Sequence, residues 1–181
     1  AALKVYNQKF DEKFIISLFG KPMTEFYNDL AAVFDTDKKD ELLLESKKNI
    51  SEYIPLYGKI YPGVYDTIQA LSGRKKLFIC SNGPLGYIEA ILKKFELSDY
   101  FIDIGYHTKI NDTKIKVMND LINKHDINSD FVMIGDRIHD FEAANYFSGD
   151  FIGADFGYGN DEISMAKVKI KSFSELKNIF L

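Results

Sequence analysis

The chain is poor in the features that assign a protein to a class at sight. It has one cysteine in 181 residues, so no internal disulfide can form, and this economy suits a reducing compartment. That residue, Cys80, ends the apolar run Leu77-Phe78-Ile79-Cys80 and reads as a small buried strand residue. A nucleophilic thiol is the alternative. No run approaches the ~18 apolar residues of a membrane helix, and the first residues make no secretory signal. The expected location is therefore cytoplasmic, with no membrane partner. Charge is mixed, 23 Lys and Arg against 27 Asp and Glu, net −4. With no basic block there is no call for nucleic acid, and with no acidic tail none for a disordered arm. A mildly acidic protein can still hold an anion where a metal and a lysine meet in one cleft. Repeats and low-complexity segments are absent.

What is present is ordinary globular material, 46% hydrophobic and 28% charged. A chain of this size buries roughly 70% of its unfolded surface, enough for one large domain or one domain with a small insertion. Residues 1–58 read as helical. Leu3, Tyr6 and Phe10 share one helix face, and Met23, Phe26, Leu30 and Val33 share another. Gly20-Lys21-Pro22 stops one helix and starts the next. Leu42 to Ile54 is a third helix, and core packing of a small bundle accounts for these stripes. Tyr61-Pro62-Gly63 marks a boundary, after which strands and helices alternate. The expected strands are 77–80, 101–104, 131–134 and 151–152. The expected helices run from Val64 to Gly73, over 84–95 and 114–125, on through Phe141 and Ala144, and over 173–180. Repeated βα units of this length predict an α/β fold with a doubly wound parallel sheet.

The stretch Phe131-Val132-Met133-Ile134-Gly135-Asp136-Arg137-Ile138-His139-Asp140 carries the chemistry. Its apolar run predicts a buried parallel strand, and Asp136 then stands at the strand's carboxyl end, where open α/β sheets place ligands. Asp140, four residues on, is spaced to point back from the first helical turn. Two converging carboxylates repel unless a cation or proton lies between them, and hard oxygen ligands suit Mg²⁺. The plain alternative is Asp136 as a helix cap and Asp140 as a solvated first-turn acid. Ser81-Asn82-Gly83-Pro84 follows the Cys80 strand and makes either an anion site at a helix start or simply an N-cap serine. Lys114 opens a helix with the wrong sign for its N-terminus. A phosphate or carboxylate in the crevice would explain it; a surface lysine is the alternative, and Lys109 and Lys116 compete for the role. His139 is a supporting or surface residue rather than a ligand, and His107 and His125 show no partner pattern. Gly157-Tyr158-Gly159 reads as a loop with flexible or positive-φ positions, with a ligand-facing role as the alternative.

Taken in order, Ser81-Asn82, Lys114 and Gly135-Asp136-Arg137-Ile138-His139-Asp140 resemble the haloacid dehalogenase-like hydrolase superfamily. Gly157-Tyr158-Gly159-Asn160 is similar to its phosphoglycolate-phosphatase-like branch. The resemblance implies a Rossmann-like core over residues 59–181 and a small helical cap over residues 1–58, inserted after the first core strand. It implies that Ser81 and the Asn82 backbone bind the transferring phosphoryl group. Lys114 would neutralise phosphate charge and steady the nucleophile, Asp136 would ligate Mg²⁺, and Asp140 would support the metal site. The expected substrate is a small phosphorylated metabolite, acted on by a monomer or homodimer. The family's nucleophile motif, Asp-x-Asp-x-Thr on a first strand, has no counterpart here. Asp35-Thr36-Asp37 lacks the strand and the trailing threonine. Residue 1 falls inside the first cap helix on this resemblance, so a segment carrying the motif is expected before Ala1, and a folded remnant without a nucleophile is the alternative.

Four functions follow. The first is a Mg²⁺-dependent phosphatase working through an aspartyl-phosphate. A metal-free dehalogenase-type hydrolase, a phosphomutase and a non-catalytic binding domain are the others. The acidic pair favours the first, because acids clustered there need a cation.

Overall fold

The computed structural model describes residues 11–33, 39–109, 111–128 and 130–181. The expected helix face of Leu3, Tyr6 and Phe10, and Asp35-Thr36-Asp37, lie outside them. The described part of the first third is helical: α1 (Glu12–Ser17), α2 (Met23–Val33) and α3 (Lys39–Tyr57). Asp11 caps α1, its carboxylate accepting from Lys13 N–H at 3.0 Å. Gly20 takes φ +81°, a conformation glycine adopts without strain, and so turns the chain from α1 into α2. Leu18 and Leu30 are buried together with Phe14, Ile15 and Phe26 around them. The bundle reading holds less well for α3, where Leu44, Leu56 and Tyr57 stay exposed. One end of α3 is tied to the rest of the chain instead: Lys94 Nζ donates to the Ile54 and Pro55 carbonyls in its last turn at 3.0 and 2.8 Å.

From α4 (Val64–Ser72) onward the chain alternates: β1 (Phe78–Cys80), α5 (Leu85–Lys94), β2 (Asp103–Gly105), α6 (Lys114–His125), β3 (Val132–Gly135), α7 (Ile138–Tyr146), β4 (Asp150–Ala154), β5 (Val168–Ile170) and α8 (Leu176–Phe180). All strand pairs are parallel, as the alternation predicts. The sheet is in two ladders rather than one, however: β1 beside β2, with Cys80 opposite Gly105, and β3-β4-β5, with Gly135 opposite Gly153. No described strand pairs with the second edge of β1 or of β3. Side chains join what backbone does not. On α4, Ile68 packs into the core beneath β1 and β2, and Leu71, one turn on, into the core beneath β3 to β5. Leu77 and Phe173 touch both.

Boundaries moved in places. The second strand lies at 103–105 rather than 101–104, because Ser98–Tyr100 coil into a 3₁₀ turn first. The last helix is a 3₁₀ turn at 173–175 followed by α8. Sequence reading left β5 out; Val168 and Lys169 are exposed and Ile170 alone is buried, which gives no apolar run to see. Among the described residues no helix is long and apolar enough to cross a membrane.

Gly105 is needed at the end of β2. A Cβ there would stand 2.7 Å from Leu121 Cδ1 and 2.8 Å from Val117 Cγ1 of α6. Gly105→Ala should therefore destabilise the fold by about 1–3 kcal/mol, the cost of overpacking a filled core, read as a lower urea midpoint with an unchanged slope.

Candidate active site

The carboxyl ends of β1 and β3 carry the side chains that the sequence singles out, and Lys114 connects them. It is the first residue of α6, whose N-cap Thr113 accepts from Lys116 N–H at 3.1 Å. Its side chain is 8% exposed. Nζ donates to the Cys80 carbonyl at the end of β1 at 2.9 Å and pairs with Asp140 Oδ1, in the first turn of α7, at 2.9 Å. Of the competing lysines, Lys116 is half-exposed and pairs with Asp120 at 2.7 Å, and Lys109 donates its backbone N–H to Asp112.

Asp140 is buried. Its other oxygen, Oδ2, accepts from Arg137 N–H at 3.1 Å, so it closes the start of α7 while holding Lys114. It is neither solvated nor aimed at Asp136. Gly135 makes the room, since a Cβ there would collide with the Asp140 carboxyl. Arg137, not Asp136, is the N-cap residue of α7. Asp136 Oδ2 is held by two backbone N–H groups, Tyr158 at 2.6 Å and Gly159 at 3.2 Å. This explains Gly157-Tyr158-Gly159. The glycines with positive φ among the described residues are Gly20 and Gly63, so conformational freedom is not the reason. A Cβ on Gly157 would strike the Asp136 side chain, and one on Gly159 the Asp136 carbonyl.

Ser81 Oγ accepts from Gly83 N–H at 3.0 Å, leaving its proton to donate into the crevice. Asn82 is buried, and its Nδ2 donates to the Gly20 carbonyl of the helical segment at 2.8 Å. Burial pushes the Cys80 thiol up to about 11 despite the Lys114 ammonium, which does not favour the thiolate a nucleophile needs.

Several participants were not legible in sequence. Arg137 is buried and pairs through Nη1 with Glu162 Oε1 at 3.1 Å, while Glu162 Oε2 accepts from Ile138 N–H at 3.1 Å. Negative charge thus gathers where the α7 dipole favours it. His139 points away from the carboxylates, to Glu25 of α2 at 2.8 Å, and His125 pairs with Asp103 at 2.6 Å. His107 is buried with neither ring nitrogen partnered among the described residues, and burial lowers its pKa. Asp112 fixes the loop that delivers Lys114: its Oδ2 accepts from Thr108 N–H, Thr108 Oγ1 and Lys109 N–H at 2.8–2.9 Å. The Asn-Asp-Thr run before α6 was the available signal, as such residues bind nearby backbone. The other pairings join residues distant in the chain and leave no local trace.

Whether Mg²⁺ fits is a question about donors. No cluster of three His, Cys, Asp or Glu occurs among the described residues. Mg²⁺ takes one or two protein carboxylates and fills its octahedron with water and phosphate oxygens. Asp136 suits that mode, with one oxygen fixed by backbone and Oδ1 unpartnered among the described residues. Asp140, both oxygens engaged, suits a supporting place.

A family model described as haloacid dehalogenase-like hydrolase matches residues 1–154. No curated protein matches the chain. Among solved structures, a haloacid dehalogenase-like family hydrolase from Streptococcus pneumoniae superposes with a TM-score of 0.85 at 18% identity, covering 99% of this chain and 87% of that one. A protein named a predicted phosphoglycolate phosphatase, from Haemophilus somnus, gives 0.86 at 18% identity, covering 99% and 87%. One named a predicted phosphatase, from Clostridium acetobutylicum, gives 0.80 at 24% identity, covering 98% and 86%. Likeness at these identities carries the fold.

Hydrogen bonds, first from Lys109 N–H, hold Asp112 down to about 2 from 3.8. A depressed carboxylate stabilises the fold fully above its unfolded pKa and loses that contribution as pH falls through the folded one. The loop at 106–113 should therefore lose amide-exchange protection as pH drops from about 4 to 2, and Asp112→Asn should remove that pH step.

Proposed function

The chain belongs to the haloacid dehalogenase-like hydrolase family, and within it we propose a Mg²⁺-dependent phosphatase that hydrolyses a small phosphate monoester through an aspartyl-phosphate. One observation carries the reading. A buried ammonium group stands between the carboxyl ends of two parallel ladders, with Ser81 at the end of one and Asp136 at the end of the other. An ammonium so placed holds phosphoryl charge by position, not by covalent chemistry, and this is how phosphoryl transfer is catalysed.

The division of labour follows from the partners. Asp136 would hold Mg²⁺ through Oδ1, its orientation fixed by the Tyr158 and Gly159 N–H groups. When bound, the ion would neutralise phosphoryl charge and align the transferring group. Asp140 holds the Lys114 ammonium in place at the end of β1. Ser81 donates its hydroxyl proton to a phosphoryl oxygen. The aspartate nucleophile has no counterpart in these 181 residues; the unpaired edges of β1 and β3 favour a strand between them as its place. We assign residues 1–58 as the cap. Asn82 bonded to Gly20, and His139 bonded to Glu25, support closure of that segment over the crevice, which excludes water and selects substrate. The small phosphorylated metabolite, the cytoplasmic site of action and a monomeric or homodimeric state belong to the same proposal.

The test uses the protein with its nucleophile strand in place. It should hydrolyse p-nitrophenyl phosphate with Mg²⁺, and Asp136→Asn or Lys114→Met should each lower kcat by about 10²–10³. Full activity of the Asp136→Asn protein in chelator would sink the metal-phosphatase reading.

A further inference from the structure

Four aromatic side chains gather around Ser81 and Asp136, and packing does not account for them. Tyr158 is anchored at Asp136 by its own backbone N–H. Phe19, in the turn after α1, meets the Tyr158 ring edge-on, centroids 5.3 Å apart at 61°. Tyr87, in the first turn of α5, lies over Gly83 beside the serine hydroxyl: a Cβ on Gly83 would stand 3.2 Å from the Tyr87 ring and 3.3 Å from Ser81 Oγ. Tyr61, on the return to α4, packs against Phe156 at 4.9 Å. Burial first, and Tyr158 after it, pushes the Tyr61 and Tyr87 hydroxyls up, with Asp136 adding to the rise at Tyr61. All four rings remain 41–55% exposed. The three tyrosine hydroxyls have no hydrogen-bond partner among the described residues. An apolar patch left open by folding, rimmed by unused polar groups, marks a binding surface.

We propose that these rings form the leaving-group subsite and that the substrate is a phosphate monoester whose leaving group carries a planar ring, an aryl or a nucleoside phosphate. The inference rests on the phosphatase reading above, since it needs the phosphoryl group at Ser81 and Asp136. A planar ring then lies against Tyr87 and Tyr158 with Phe19 closing from the helical side, in the offset or edge-on geometry that aromatic pairs prefer. The free hydroxyls meet its polar substituents. An alkyl phosphate has no face to offer and keeps the phosphoryl contacts alone.

Isothermal titration of the 181-residue chain with Mg²⁺ separates the two readings, using inorganic phosphate, propyl phosphate, phenyl phosphate and a nucleoside 5′-monophosphate. Phenyl phosphate or the nucleotide should bind about tenfold tighter than propyl phosphate, the worth of an aromatic pair or two. The tighter of the two identifies the ring. Phe19→Leu, Tyr87→Leu and Tyr158→Ala should each narrow that ratio; where Tyr158→Ala fails to fold, the two leucine variants carry the test. Inorganic phosphate binding with equal affinity for phenyl and propyl phosphate overturns the inference and keeps the phosphatase reading. Phenyl phosphate binding without inorganic phosphate keeps the aromatic subsite and removes the phosphatase. Silence with all four removes both.

Discussion

The ion pair between Lys114 and Asp140 is the constraint on which the other arrangements rest. Both groups are buried, and two charges taken out of water survive only when each is paired and hydrogen-bonded. Here Lys114 has the Cys80 carbonyl as a second acceptor, and Asp140 has Arg137 N–H as a donor. Removing either partner strands the other, at a cost of about 3–5 kcal/mol. The pair also performs geometry. Among the described residues no backbone ladder joins β1 to β3, and the pair ties the end of β1 to the start of α7.

Legibility followed the range of the interaction. Helix α6 is legible with its boundaries intact, because apolar spacing is a local signal. Asp136 and Asp140 were likewise visible, since a carboxylate at a strand end and one helical turn later are a matter of counting. Their roles were less so. Sequence spacing suggested that the two acids face each other; the fold gives one to Tyr158 and Gly159 and the other to Lys114. Those partners stand 22 or more residues away, and nothing in a local pattern names them. Asn82 and His139 were missed as ties to the helical segment for the same reason. Gly157 and Gly159 were noticed for the wrong reason: they supply space beside Asp136, not backbone freedom. Continuity of the sheet could not be read at all, because alternation counts strands without saying which edges meet.

The helical segment and the α/β part are joined at separated points. Near the crevice are Asn82 to Gly20, His139 to Glu25 and Phe19 against Tyr158; far from it, Lys94 caps α3. The near contacts are single hydrogen bonds and one ring pair, each worth only about 1 kcal/mol net. The Lys94 contact uses a full charge on two carbonyls.

β5 has a bearing on association. It borders its ladder, and an exposed border normally invites another chain to add a strand. Three residues give it little free backbone, and Lys169 sets a charge on it. Both are known deterrents to fibril growth. The open sides of β1 and β3 carry no lysine: Phe78-Ile79-Cys80 and Val132-Met133-Ile134-Gly135 are apolar throughout. The border at β5 is therefore better guarded by charge against an added strand than the open sides of β1 and β3.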